Sequence, residues 1–411
     1  MDVRFDRCCA IHRVSSLSKD IEQAVPQMRA WGEAHDWRGY DPYDALNSPF
    51  ASFLTLGTSL GRRVLIQATK RSPINLRPLF RIRPDWNAKA VSLVASGYAR
   101  LAAMGDHSAR SQAERWLGWL LANHSGDDTG LAWGYHFDVE TRFFAYRRGT
   151  PNTIATSFVA QAFLDGVEML GQDRWVDPAL SGSRFLASRM LVESSKGSSH
   201  FRYVPGDDQL VHNANALACA VLARSSKLLS DDELVEPAQR ALATTLEAQR
   251  EDGSWPYAEG MYGNWVDNFH TGYVLESLAQ CRSFSPEVEE RLGRGLDYWH
   301  RELFLDDGTP RYAPGRTYPL DAHCYATAID TWVSVEGQRP EALGRAERLA
   351  GLLIERMLDS AGFVRFQQRR MWTSKIPFVR WSTAPSFRAL AGLLLARSRR
   401  HTSEDVHARL D

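Results

Sequence analysis

Two kinds of helix alternate along this chain. In one kind the apolar side chains keep to a single face. Leu234, Ala238, Ala241, Leu242, Thr245 and Leu246 form such a stripe, with Glu236, Gln239, Arg240 and Glu247 on the other side. The other kind is apolar nearly all round and rich in Ala: "AKAVSLVASGYARLAAM", "NTIATSFVAQAFLDGV", "NANALACAVLARS", "FHTGYVLESLAQ", "AHCYATAIDTWV" and "TAPSFRALAGLLLA". A helix without a solvated face must be covered on every side.

The glycines mark the joints between the two kinds. Gly130, Gly197, Gly253, Gly308 and Gly362 each follow a helix and precede an aromatic residue, at intervals of roughly 54 to 67 residues. One helical hairpin per interval, with no convincing strand runs between, predicts an all-α chain. Six inner helices alternating with outer ones form an (α/α)6 toroid with an irregular N-terminal extension. Residues 1–86 supply that extension and the first outer helix, expected within 18–66, and residues 87–411 the toroid, in a single structural domain. Two outer helices show start signals: "SDDE" at Ser230 reads as a capping box with Glu233, and Ser285-Pro286 puts proline at a favoured first position. "RGYDPYDALNSP" and "KRSPINLRPLF" read as extended segments lying over the barrel mouth or one end of it.

If the inner helices run the same way, their N-termini share one mouth, and polar groups collect there. The starts carry Asn87 and Lys89; Asn152, Thr153 and Thr156; His212, Asn213 and Asn215; Asp267, Asn268, His270 and Tyr273; Asp321, His323 and Tyr325; Arg380, Trp381 and Thr383. Caps account for Asn, Asp and Thr singly, but not for His, Tyr, Arg and Trp recurring beside them. The long turns "WGYHFDVETRFFAYRRGTPN" and "WPYAEGMYGNW" add aromatics and carboxylates to the same end. Rings that stack on C–H faces beside side chains that read hydroxyls suit a sugar. Substrate contacts are therefore assigned to Trp133, Tyr135, Arg142, Asn152, His212, Asn213, Trp265, Asn268, Tyr318, Arg380 and Trp381. Catalytic roles fall to Asp138, Glu259, Asp267, His270, Tyr273, Asp321 and His323.

Two chemistries fit these residues. Glycoside hydrolysis needs two carboxyls flanking the bond, from Asp138, Glu259, Asp267 and Asp321. Uronate elimination or C5 epimerisation needs a base such as His270, Tyr273, His323 or His212, and a neutraliser such as Arg142, Asn268 or Arg380. His212, His270 and His323 with Asp267 or Asp321 also have the donor types of a zinc site. The adjacent His323 and Cys324, however, point about 100° apart on a helix, and no cofactor is expected. Neither G-x-G-x-x-G nor G-x-x-x-x-G-K occurs.

Composition narrows the partners. Lys+Arg and Asp+Glu balance at 49 each over 411 residues, so no global field draws in nucleic acid or anionic lipid, and the basic run "ARSRRH" reads as a solvated helix end. Five scattered cysteines (Cys8, Cys9, Cys219, Cys281 and Cys324) make no C-x-x-C pair and suit a reducing compartment. "MDVRFDRCCAIHRVSS" lacks a signal-peptide core and no apolar run is long enough to span a bilayer, so a cytoplasmic location is expected.

Two resemblances follow. "EAQREDGSW" resembles the Gln-x-x-x-Gly-x-Trp repeat of terpenoid cyclases, matched by Gln249, Gly253 and Trp255, while the cyclase Asp-x-Asp-Asp acid motif is missing. Over most of the chain, "RGYDPYDALNSP", "KRSPINLRPLF", "TPNTIATSFVAQAFLD", "EDGSWPYAEG", "WVDNFHTGYVLESL", "RTYPLDAHCYATAID" and "KIPFVRW" resemble a bacterial and archaeal family of surface-polysaccharide gene clusters. Its members often bear the label delta-aminolevulinic acid dehydratase, which denotes a β/α barrel that this pattern does not form. The resemblance implies an α/α toroid connected with glycans, similar more broadly to six-hairpin glycosidases, polysaccharide lyases and glucuronyl C5-epimerases. A carbohydrate-active enzyme is the expectation. A cyclase or prenyl-transfer enzyme and a non-catalytic glycan-binding protein are the alternatives.

Overall fold

Six helices with no solvated face stand side by side and close on themselves. The computed structural model describes residues 20–193, 197–260 and 262–407, with side chains to 402, so Cys8, Cys9 and the charged N-terminal run lie outside the described residues. In chain order the helices begin with α1 (20–34), α2 (Ala51–Leu54), α3 (Ser59–Arg71), α4 (Ala88–Ala103) and α5 (His107–Ala122). There follow α6 (Thr153–Leu170), α7 (Val176–Phe185), α8 (His212–Leu229), α9 (Val235–Glu247) and α10 (Asn268–Gln280). The last are α11 (Pro286–Glu302), α12 (Ala322–Ser334), α13 (Ala342–Met357) and α14 (Thr383–His407). The inner ring runs α4, α6, α8, α10, α12, α14, and α14 packs back on α4 to close it. Helices α5, α7, α9, α11 and α13 each pack outside the inner helix that precedes them. This is the expected (α/α)6 toroid.

Helix α1 takes the sixth outer position. Arg29 bonds Asp106, Glu33 accepts from Tyr98, and Gln27 donates to the carbonyls of Asp359 and Ser360. These contacts wedge it between the turn ahead of α5 and the turn after α13.

Burial follows the two helix types. Every residue of α8 from His212 to Ala223 is buried, whereas on α9 the apolar stripe alone is. Small residues let the inner helices close up: a Cβ on Gly272 of α10 would lie 2.7 Å from Thr327 Cγ2 of α12. The five turn glycines all have positive φ, and Gly253 at +95° also leaves no room for a Cβ, 2.5 Å from the Arg294 carbonyl. In four of these turns an aspartate (Asp127, Asp252, Asp307, Asp359) accepts the backbone N–H two residues on. Gln249 donates to the Gly253 and Arg291 carbonyls and Trp255 to that of Thr245, so the Gln-x-x-x-Gly-x-Trp motif clamps a turn.

Three expectations need correction. Ser230 does not cap α9: it ends α8 in the left-handed region at φ 56°, and α9 starts at Val235 after a short 3-10 turn. The two segments read as extended are not wholly so, since a 3-10 turn spans Asp44–Asn47 in the first and α3 runs into the second as far as Arg71. The far ends of the inner helices are not plain apolar wall either. Each inner helix contributes a charged residue to the interior below the mouth (Arg100, Asp165, Arg224, Glu276, Asp330 and Arg388), and Glu168 of α6 also bonds Arg224. Arg388 bonds Asp330 and Glu276, Arg100 bonds Asp330, and Arg224 pairs with Asp165. Three cations and three anions thus neutralise one another in the barrel's lower interior, where an unpaired charge would cost several kcal/mol, roughly 3–5.

Among the described residues three short antiparallel strand pairs complete the fold: the hairpins β1 (Val139–Glu140) with β2 (Ala145–Tyr146) and β3 (Leu191–Glu193) with β4 (Ser199–Phe201), and the long-range pair β5 (Leu320–Asp321) with β6 (Gln367–Gln368). The last sets Asp321 opposite Gln367 at the mouth.

Candidate active site

All the loops that enter inner helices lie at one end of the toroid, because each inner helix follows an outer one running the opposite way. They enclose a cavity of about 290 Å³. Tyr135 and the β1–β2 hairpin form one wall, and Tyr203, Tyr257 and Trp265 the next. Tyr312, Asp321, Gln367, Arg380 and Trp381 complete the circuit, with Phe269 and His270 from the start of α10. The extension supplies Tyr43 and Lys70.

The opening turn of α10 makes the principal acid–base feature. Asp267 is the N-cap: one carboxylate oxygen accepts the His270 backbone N–H at 2.9 Å. Its other oxygen accepts from His270 Nδ1 at 2.7 Å. The carboxylate is buried while the imidazole is partly exposed to the cavity. With Nδ1 donating to that carboxylate, the ring is left with Nε2, which among the described residues makes no hydrogen bond. Trp265 stacks on Tyr257 at 4.4 Å with planes 12° apart, and Tyr257 packs against the His270 ring.

Asp321 lies on the same wall system. It caps α12 through the His323 N–H at 2.9 Å and accepts from Gln367 Nε2 at 2.6 Å. Burial pushes its carboxyl up to about 6, against the pull of those hydrogen bonds and of Lys70, with Asp267 adding to the rise. Arg380 is buried beside it in a bidentate pair with Asp41, at 2.5 Å (Nε) and 2.8 Å (Nη2). Burial opposes the guanidinium charge, but the Asp41 carboxylate outweighs it and raises Arg380 above its ordinary value. Its plane also lies 4.7 Å from the Tyr135 ring and 5.0 Å from Trp381. Lys70 donates to Tyr43 Oη at 2.6 Å.

Of the residues singled out from the sequence, Tyr135, Trp265, His270, Asp321, Arg380 and Trp381 line the cavity, and Asp267 stands directly behind His270. His323 and Tyr273 lie beneath the Phe269 floor instead. His323 donates from Nδ1 to the Trp381 carbonyl at 3.0 Å and accepts the Tyr273 hydroxyl at Nε2, 2.7 Å. Lys89 Nζ reaches the same hydroxyl at 3.2 Å. Burial holds both His323 and Lys89 well below their ordinary values. His212 and Asn213 sit behind the α10 start, where His212 Nε2 donates to the half-exposed Glu259 at 3.1 Å.

The rest are structural or remote. Trp133 is buried and donates to the Leu120 carbonyl, Asn152 caps α6, and Asn268 donates to the Leu303 carbonyl. Asp138 pins the β1–β2 hairpin through Arg147 and the Arg148 N–H, and Arg142 is exposed at that hairpin's tip. Tyr318 is exposed before a cis proline and does not line the cavity. The zinc set does not converge, because His212, His270 and His323 each turn to a different partner. Among the described residues no three His, Cys, Asp or Glu side chains gather to hold a metal. The described cysteines, Cys219, Cys281 and Cys324, are buried free thiols.

Sequence reasoning missed Lys70, Tyr43, Asp41 and Gln367 as site residues. A usable signal existed for Gln367 at the turn position equivalent to other mouth loops, and for the other three in the reading of their segments as lying over the mouth or one end of the barrel. The remaining three come from an extension whose path is set by long-range pairs.

The architecture defines the class: an (α/α)6 toroid with a closed-bottomed cavity at the mouth where its inner helices begin. No protein-family model matches the chain, and no curated protein matches it in sequence. Among solved structures, an unsaturated glucuronyl hydrolase specific for heparin superposes with TM-score 0.63 at 13% identity, covering 94% of this chain and 98% of that one. A GH76 alpha-mannanase from Bacteroides thetaiotaomicron gives 0.62 at 11%, covering 77% and 88%. A cellobiose 2-epimerase from Bacillus thermoamylovorans gives 0.58 at 10%, covering 77% and 90%. These likenesses are of fold.

Proposed function

We propose that this chain is a carbohydrate-active enzyme that moves a proton at a carbon of an anionic saccharide, by elimination or epimerisation. The observation that carries the reading is His270, oriented by buried Asp267 and presenting Nε2 to a cavity that also holds the raised carboxyl of Asp321. His270 takes the proton alpha to a uronate carboxylate, and Arg380 and Lys70 neutralise the charge that develops on it. In elimination Asp321 gives its proton to the departing glycosidic oxygen; in epimerisation a proton returns to the opposite face of the same carbon. Trp265 and Tyr257 offer stacked rings for the sugar. Hydrolysis by paired carboxylates has less support, since Asp321 is the one carboxyl among the residues lining the cavity, and Asp138 and Glu259 lie outside it. Structural neighbours that act on saccharides support the substrate class.

The aromatic wall favours one other reading, an enzyme that folds an apolar prenyl chain with Asp321 as acid and Lys70 and Arg380 on a diphosphate. One experiment separates the two. Uronate oligosaccharides are incubated with the protein in deuterium oxide and followed by mass spectrometry and ultraviolet absorbance. Carbon-bound deuterium or a conjugated product, lost in His270→Ala, supports proton transfer on a sugar. Reducing ends released without either signal, or no reaction with uronates alongside turnover of a prenyl diphosphate, overturns it.

A further inference from the structure

The chain is neutral overall, yet residues 45–84 hold seven basic residues and no Asp or Glu. Arg77 is buried against Asp44, Arg63 pairs with Glu140 and Lys70 lines the cavity, which leaves Arg71, Arg81 and Arg83 exposed. The same stretch leaves large apolar side chains in water. Phe53 is 81% exposed, Leu56 84%, Leu60 73%, Leu79 72%, Ile74 65% and Val64 58%. Single exposed apolar residues are ordinary, but a cluster of this size marks an interaction surface.

The members of the cluster on α2 and α3 adjoin one another. Leu60 and Val64 are a turn apart on α3, while Ile66 and Thr69 bury the helix's other side. Helix α2, carrying Phe53 and Leu54, packs on α3. The Arg81 guanidinium lies 5.4 Å from the Phe50 ring, joining the end of the stretch to its beginning. The patch belongs to the mouth of the toroid, since Ser59 bonds Glu140 of β1 and Lys70 reaches the cavity. Other exposed large apolar side chains, Tyr262, Trp265, Tyr318 and Met371, are on loops of that same end.

We infer that this face docks on an anionic lipid bilayer, with α2 and α3 lying in its interface and the cavity opening beside it. Exposed Phe and Leu on a stretch that also exposes Arg71, Arg81 and Arg83, and that itself contains no acid, match the apolar and electrostatic parts of interfacial binding. A nucleic acid or an acidic polymer would use the arginines but not the aliphatic side chains. A two-fold pairing of copies would set this basic patch against itself. Docking does not depend on which reaction the cavity performs.

The full chain is tested by co-sedimentation with vesicles of phosphatidylcholine alone and of phosphatidylcholine with phosphatidylglycerol. Binding to the anionic vesicles, at least about tenfold stronger than to neutral ones and weakened by salt, is expected. Arg71→Gln with Arg83→Gln lowers the affinity roughly 30-fold. Phe53→Ser with Leu60→Ser lowers it about tenfold or more, with unchanged circular dichroism because both side chains are in solvent. The inference is overturned by absent vesicle binding, by equal binding to both vesicle types, or by an unaffected arginine variant. It is equally overturned by a concentration-dependent dimer, without vesicle binding, that the Phe53/Leu60 variant dissolves.

Discussion

Replacing Asp321 with Asn makes the protein more stable at neutral pH and less active, and the size of the gain follows from the carboxyl's surroundings. Burial raises this group from 3.8 to about 6. At 1.36 kcal/mol per unit, that shift is worth about 3 kcal/mol. Because the folded-state value is the higher one, the folded chain holds the proton more tightly than the unfolded chain. The contribution is whole below about pH 4 and is lost as pH rises through about 6. An Asn side chain stands in for the protonated carboxyl at every pH and keeps the oxygen that caps the His323 N–H. Its amide nitrogen, however, faces Gln367 Nε2, so Gln367 must turn over and give up its bond from Arg369. That loss costs about 1 kcal/mol. Asp321→Asn should thus be about 2 kcal/mol more stable than the parent near pH 8 and about 1 kcal/mol less stable near pH 4. Urea unfolding followed by tryptophan fluorescence at the two pH values reads the difference. A gap between parent and variant that stays constant with pH would refute the argument, whatever its sign.

Three other perturbations probe the rest of the site. Asp267→Asn sets an amide nitrogen against His270 Nδ1, moving the imidazole proton to Nε2; activity should fall about 100- to 10,000-fold. Nitrogen NMR of the ring should report the exchanged tautomer, with stability within about 1 kcal/mol because the N-cap oxygen remains. Asp41→Ala leaves Arg380 buried and unpaired, at a cost of roughly 3–5 kcal/mol in chemical denaturation; an effect under about 1 kcal/mol would show that the pair does not anchor the extension. Trp265→Ala removes the ring stacked on Tyr257 and should weaken saccharide binding roughly five- to tenfold by calorimetry, with little change in melting temperature since Trp265 is 37% exposed.

What could be read from the sequence was local. The alternation of stripe-faced and fully apolar helices, and the glycine that ends each outer helix, are properties of adjacent residues, so the toroid was legible. "SDDE" at Ser230 misled because a capping box and the left-handed end of a helix share polar residues, and it was the packing of Leu234 that moved the start of α9 past it. The ring of charges from Arg100 to Arg388 was hidden for a different reason: each charge on its own helix has no partner in sequence, and the pairs form only when six helices close. The site divides along the same line. Clustering of polar groups at helix starts was visible, but which of them face the cavity depends on rotation about each helix. His270 is the third residue of α10 and His323 the second of α12. One residue turns a side chain by about 100°. That offset accounts for two histidines at equivalent helix starts having different fates, His270 opening on the cavity and His323 locked beneath its floor between Tyr273 and the Trp381 carbonyl.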